Sequence, residues 1–377
     1  MGVKVLIAAD IVPTKTNEEL FVNGDIKSLV GKALCERLKN ADYIVMNLET
    51  PLTNSKSPIR KCGPCLMASP DTIKGLRSIN PFFYTLANNH ILDQGIEGLH
   101  STISILNKNG ISFSGVGNNV KEARKPFIVK VGNHSVGIYC CTEHEFSIAT
   151  ESRPGANPYD PLECFDDVRS LRQKCDYLII LYHGGKEHYR YPSPQLQRVF
   201  HKFADCGADL VVAQHTHCIG CKEEYNGSTL VYGQGNFLFD NSDSEFWQTS
   251  LMISLDLDTN EVEYIPLVKK GNAIREAEDV EKSKILKEFN TRNEEIKQVR
   301  FISEKYKEYA TNIGYDYYLR FIGKLKSNII VRGLNKITSF RFIKSLYPDS
   351  ASVSIENVLD CEAHRELASE VMRLLTK

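Results

Sequence analysis

The segment Asp209-Leu-Val-Val-Ala-Gln214 runs directly into His215-Thr-His217, and no other feature restricts the fold as tightly. A short apolar run with adjacent valines predicts a buried strand, and a strand that stops at two histidines one residue apart delivers both imidazoles to a sheet edge. Open α/β sheets keep their chemistry at such edges. Taken alone, a His-x-His pair also reads as a loop in which one imidazole merely packs. Here it is not alone: Val3 to Ala9 ends on Asp10, Tyr43 to Leu48 on Glu49, Tyr177 to Tyr182 on His183, and Phe82 to Ala87 on Asn88-Asn89-His90. Strand ends that converge on Asp, Glu, Asn and His are hard to explain as packing.

The elements between these strands make an α/β chain. Apolar positions at helical spacing predict helices over Ile26 to Lys39, Ile96 to Asn109 and Pro194 to Asp205, the second stopped by Gly110. The last joins the His183 strand to the His215 strand, a parallel crossover. Hairpins are expected around Gly132-Asn133 and Asp258-Thr-Asn260. Asp25, in Asn23-Gly-Asp25, reads as a turn carboxylate. The loop Thr53 to Pro70 holds three prolines and Cys62-Gly-Pro-Cys65, and loops of that length are usually functional or mobile.

At 377 residues the chain exceeds one ordinary domain. A net charge of -1 and a pI near 6.8 exclude a wholesale nucleic-acid binder. No segment has the apolar length of a membrane span, and the apolar start Val3 to Ala9 is too short for a signal peptide, so it reads as mature fold. Eleven cysteines without an export signal point to reduced thiols and a cytoplasmic location. Cys62-x-x-Cys65 and Cys218-x-x-Cys221 leave three readings open: a structural zinc site, a redox pair or unpaired thiols. Near Gly271 the pattern becomes charge-dense and helical, which sets the expected domains at 1–272 and, as a helical C-terminal extension, 273–377. Within the extension, Leu319 to Lys344 holds seven Lys or Arg and no Asp or Glu, among interleaved Phe and Ile. Such a face suits an anionic polymer or peripheral contact with the inner membrane, or else is the solvated side of a packed helix pair.

Read together, Asn47-Leu-Glu49-Thr-Pro-Leu52, Ala87-Asn-Asn-His90 with Asp93-x-Gly95, His183-Gly-Gly-x-Glu187, Gly207-Ala-Asp209 leading to His215-x-His217, and Gly235-Asn-Phe237 resemble the bacterial capsule-synthesis family of poly-gamma-glutamate proteins called CapA, in the calcineurin-like metallophosphoesterase superfamily. The resemblance covers roughly residues 3 to 268 and implies an α/β fold, a layered β sandwich flanked by helices with metals at the strand ends. It implies that Asp10, Glu49 and His217 hold one metal, and that Asn89, His183 and His215 hold a second with Glu49 bridging. It also makes His90 the proton donor to the leaving group and Asp93 the residue that orients it. Carboxylate, amide and imidazole donors together suit one or two divalent ions of Mn, Fe or Zn. The activity implied is a metal-dependent hydrolase acting on a phosphoester or an amide in capsule polymer metabolism, with an anionic polymer or phosphoester as substrate and capsule-synthesis proteins as partners. The alternative is a non-catalytic metal-binding factor in a capsule assembly complex. The chain departs from the superfamily at four places: Val12 stands where a histidine is usual, Ala9 replaces the glycine before the first aspartate, Glu49 represents the second-motif aspartate as it does in CapA-like chains, and Gln214 replaces the glycine before His-x-His. Loss of the imidazole at Val12 weakens the first metal site, and Gln214 is expected to narrow the pocket.

Overall fold

Alternation along the first strand decides the layering. In Lys4–Val12 the side chains of Val5 and Ile7 face one way and those of Leu6 and Ala8 the other, and all four are buried, as a strand covered on both sides requires. The computed structural model, which describes residues 2–240, 242–321, 328–360, 364 and 368, places this strand inside an eight-stranded sheet. Its spatial order is Ala273–Glu276, Val262–Lys270, Thr249–Asp256, Lys4–Val12, Tyr43–Leu48, Phe83–Thr85, Ser112–Ser114, and Asn236–Phe239 pairs with the far end of the first strand. A second sheet runs Lys222–Tyr225, Ser228–Val231, Leu210–Gln214, Tyr177–His183, His134–Thr142, Phe127–Val131.

Between the sheets, Val5, Ile7, Val45 and Phe83 meet Ile138, Ile179, Leu181 and Val212. The opposite face of the first sheet is covered by helices Ile26–Lys39 and Gly95–Lys108 through Leu29, Leu34, Leu99 and Leu106. Helices Cys164–Arg172 and Pro194–Asp205 cover the second sheet through Val168, Leu171, Val199 and Phe203. The protein is thus a β sandwich flanked by helices, with further helices toward its C-terminus. Local chemistry starts the covering helices. Asp25 is the N-cap of Ile26–Lys39 and accepts from the Ser28 amide at 3.2 Å, a role beyond the simple turn expected of it. Ser193 caps Pro194–Asp205, with proline at the first helical position.

One irregularity positions the site. The first strand pairs in parallel with Tyr43–Leu48 at residues 5 to 7 and again at 10 to 11, with a register shift between. At this bulge the Ile7 carbonyl accepts from Gln234 Nε2 at 2.9 Å and the Ala8 carbonyl from Gln214 Nε2 at 3.2 Å. Beyond it, the neighbour changes from the antiparallel Thr249–Asp256 to the parallel Asn236–Phe239, and Asp10 pairs with Asn236. A bulge re-aims the side chains that follow it, here Asp10. The strand expected over Phe82 to Ala87 is shorter, Phe83–Thr85, because the chain then turns, with the Asn88 amide donating to the Leu86 carbonyl at 2.9 Å.

The first sheet continues past residue 272, where the sequence pattern changes, since Ala273–Glu276 pairs with Val262–Lys270. Two compact units divide the chain, Met1–Ser303 and Glu304–Lys377. The second contains helices Ile329–Ile337, Arg341–Ser345 and Asp349–Asp360. Of the basic stretch Leu319 to Lys344, residues 322–327 lie outside the described residues. Among the described residues no helix is long and apolar enough to cross a membrane.

Candidate metal centre

The six side chains expected at the strand ends are all buried, Asp10 and Glu49 completely. Glu49, His183 and His215 form one group whose ligand atoms lie within 4.8 Å of one another, and Asp10, Glu49 and His217 form another. Glu49 belongs to both. Asn89 joins the first group, its Oδ1 lying 3.0 Å from His183 Nε2, while Glu49 Oε1 lies 3.2 Å from that same nitrogen. Ligand bonds of about 2.1 Å at right angles put neighbouring donor atoms about 3.0 Å apart, so these spacings fit around one cation. The two oxygens of Glu49 give an independent test. Both are buried and neither accepts a hydrogen bond, and the same is true of His215 Nδ1. A carboxylate taken out of water without hydrogen bonds is costly, and a cation removes the cost. The residues present therefore fit the metals that the donor set implies.

The backbone bends to make this arrangement. His215 has φ 85° and His217 φ 52°, left-handed values that cost about 1–3 kcal/mol each in a residue with a side chain. The His215 amide donates to Asp10 Oδ2 at 3.1 Å, which ties the turn to the first strand. Four residues outside the expected set orient the ligands. Asn47 donates to Asp10 Oδ1 at 2.7 Å and is itself held by Asn88 at 3.0 Å. Asn236 Oδ1 lies 2.8 Å from His217 Nδ1. Glu145 accepts from Asn89 Nδ2 at 2.7 Å, which turns the amide oxygen of Asn89 toward His183. Asn47 and Asn236 sit inside motifs quoted from the sequence, one at a strand end and one beside a glycine. Glu145 lies in a loop that carries no local signal.

Burial dominates the electrostatics. It pushes the Asp10 carboxyl up to about 7 against its hydrogen bonds from Asn47 and the His215 amide. It raises Glu49 well above the carboxylate range, with Asp10 adding to the effect. Burial, and then the neighbouring imidazoles, hold His183 and His215 well below the usual histidine value, and burial takes His217 down to about 4. Uncharged forms are favoured throughout. An arriving cation meets imidazoles that are already neutral and displaces protons from the two carboxyls.

Beside Asn89, His90 Nδ1 lies 2.5 Å from Asp93 Oδ2, and Lys61 Nζ lies 2.6 Å from Asp93 Oδ1. Lys61, from the long proline-bearing loop, had no signal in the sequence. On the far side, Val12 packs with Phe239 and Trp247 in an apolar cluster, and Trp247 lies against His217 with ring centroids 4.7 Å apart. Gln214 is buried and spans the two sheets to the Ala8 carbonyl. Cys218 and Cys221 are buried and Cys62 is exposed. Among the described residues no cysteine belongs to a group with metal-holding spacing.

The model of the family described as "Bacterial capsule synthesis protein PGA_cap" matches residues 4–241. The "PGA biosynthesis protein CapA" of Bacillus subtilis is 27% identical over 205 residues, 53% of this chain and 54% of that one. A "Probable polyglutamine synthesis accessory protein" of Mycobacterium tuberculosis is 30% identical over 212 residues, 53% of this chain and 56% of that one. The chain thus spans about half the length of the curated relatives it matches. A solved structure of a putative 5'-nucleotidase from Staphylococcus aureus superposes with a TM-score of 0.45 at 14% identity, over 77% of this chain and 58% of that one.

Proposed function

The chain belongs to the bacterial capsule synthesis protein family PGA_cap, and from that membership we propose that it is a metal-dependent hydrolase that cleaves a phosphoester or an amide in the metabolism of a capsule or other cell-surface polymer. The observation that carries the proposal is Glu49: a fully buried carboxylate, without a hydrogen bond at either oxygen, shared between two groups of metal-type ligands. Divalent cations bound there supply Lewis acidity toward the oxygen of the scissile group. Asp10, Glu49 and His217 would hold one, and Glu49, Asn89, His183 and His215 the other.

The remaining work falls to side chains that hold or move protons. Asp93 accepts the Nδ1 proton of His90, so when the ring carries a second proton it sits on Nε2 and is the one available to a leaving group. Burial of the ligand residues keeps bulk water from competing with a bound substrate. The substrate class in this reading is an anionic polymer or a phosphoester, other capsule-synthesis proteins are its partners, and its place is the cytoplasm or the surface of the inner membrane.

One observation favours a second reading, a non-catalytic metal-binding factor within a capsule assembly complex. Val12 fills with a buried aliphatic side chain the place where the superfamily has an imidazole. Metal content of protein purified without chelators, measured alongside hydrolysis of a generic phosphodiester with added Mn, separates the two. Two cations per chain and turnover support the hydrolase; one cation and no turnover on ester or amide substrates support the factor.

A further inference from the structure

The loop that carries Lys61 is laid across the turn at Asp93-Gln94 and fastened to it at several points. The Ile59 amide donates to the Asp93 carbonyl at 3.0 Å and the Leu66 amide to Asp93 Oδ2 at 2.6 Å. Gln94 Nε2 donates to the Leu66 carbonyl at 3.0 Å, and the Ser57 amide to Gln94 Oε1 at 2.9 Å. Lys61, near the middle of this strap, turns inward. Only 2% of its side chain is exposed, in a residue type that is almost never buried unless paired.

Its partners explain the burial. Lys61 Nζ lies 2.6 Å from Asp93 Oδ1, 3.4 Å from the Asn89 carbonyl and 3.2 Å from His90 Nδ1. The last contact is not a hydrogen bond from lysine. A carboxylate only accepts and an ammonium only donates, so the proton between His90 and Asp93 sits on Nδ1, and that nitrogen has no lone pair for Nζ. What remains is a division of labour on Asp93: one oxygen serves the ammonium, the other serves His90 Nδ1 and the Leu66 amide. One side chain therefore reaches the residue that supplies the candidate ligand amide, the imidazole beside it, and the carboxylate that orients the imidazole.

We propose that Lys61 is a positioning residue, which acts through Asp93 to fix the orientation and tautomer of His90 so that Nε2 faces the reacting group. The proposal rests on the hydrolase reading for its kinetic consequence and not for its structural one. A lysine that merely fastened the strap would hold the loop equally well without affecting the imidazole. A lysine that positions His90 loses its effect once His90 is gone, because the interaction energy of two residues in one network vanishes when either is removed.

The test uses the full chain with Lys61→Met, which keeps the length and removes the charge, Lys61→Arg, and Lys61→Met combined with His90→Ala. Loss of an outer partner of this kind costs about 10- to 100-fold, so Lys61→Met should lower kcat on bis-p-nitrophenyl phosphate with Mn by that factor. KM and metal per chain should stay within about twofold, as expected when only the transition state is affected. In the His90→Ala background the same change should cost nothing further. The ring nitrogen signals of His90 in ¹⁵N-labelled protein should move away from the fixed Nδ1–H tautomer in Lys61→Met and return toward the parent in Lys61→Arg. Equal losses of kcat with and without His90, or ring signals unchanged by Lys61→Met, would overturn the assignment. Should the parent protein not turn over the ester, the phosphoester form of the hydrolase reading is what fails, and the ring signals still decide the role of Lys61. If Lys61→Met does not fold, Lys61→Gln, which also removes the charge, carries the comparison and must shift the His90 signals if Lys61 positions that ring.

Discussion

The two halves of the site share Glu49 and are built differently. The half made of Glu49, His183, His215 and Asn89 has four donors, and its amide is aimed by Glu145. The half made of Asp10, Glu49 and His217 has three, and the next position, Val12, belongs to an apolar cluster with Phe239 and Trp247. A cation is held by the number of its donors and by how firmly outer partners fix them. The difference therefore predicts unequal affinities, with the Asn89 half filling first.

Glu49→Gln should have the largest effect on that comparison, because it removes the donor common to both halves. Metal per chain after purification without chelators should fall nearly to zero, whereas His217→Ala should leave the Asn89 half loaded. Equal losses in both variants would mean that the halves are one site. Next comes His90→Ala, which should keep the metal content and lower turnover by about 10²- to 10⁴-fold, the usual contribution of a positioned general acid. Loss of metal instead would make His90 a ligand of the Asn89 half. Glu145→Ala should free the Asn89 amide and weaken the Asn89 half alone by about 10- to 100-fold, read by competition with a metal-sensing dye.

The halves should also differ in their response to pH. The Asp10 carboxyl, raised by burial to about 7, is protonated below that pH, and the proton competes with a cation. Affinity of the Asp10 half should therefore rise as pH climbs toward about 7, by about tenfold per unit for each proton displaced. Glu49 contributes to both halves, and His183 and His215, held low by burial, contribute no competing proton near neutrality. Calorimetry in buffers of different ionisation enthalpy counts the protons released, and identical counts for the two binding events would remove the distinction. The smallest effect is expected from Val12→His, which adds a donor to the weaker half at some expense in packing against Trp247. Tighter retention of metal in that half through gel filtration in the variant than in the parent would locate the weakness at that position.

The sequence by itself determined the kinds of side chain gathered at the site and all the strand ends that carry them except one, since Phe83–Thr85 stops before the turn that holds Asn89 and His90. Apolar runs such as Tyr177–His183 and Leu210–Gln214 are local patterns, and a donor placed directly after such a run is carried to the sheet edge wherever the strand lies. The capped helices were legible for the same reason. Only the tertiary structure decided which donors share a cation and what holds them. The Asp10 carboxylate meets the His215 amide 205 positions away, and it does so through a bulge whose carbonyls are taken by Gln214 and Gln234. Lys61 and Glu145 reach the site from loops 32 and 56 residues distant from their partners Asp93 and Asn89. A loop residue has no period to read, and a buried polar contact between distant segments exists only once the sheets have closed and removed the water that would otherwise satisfy both partners.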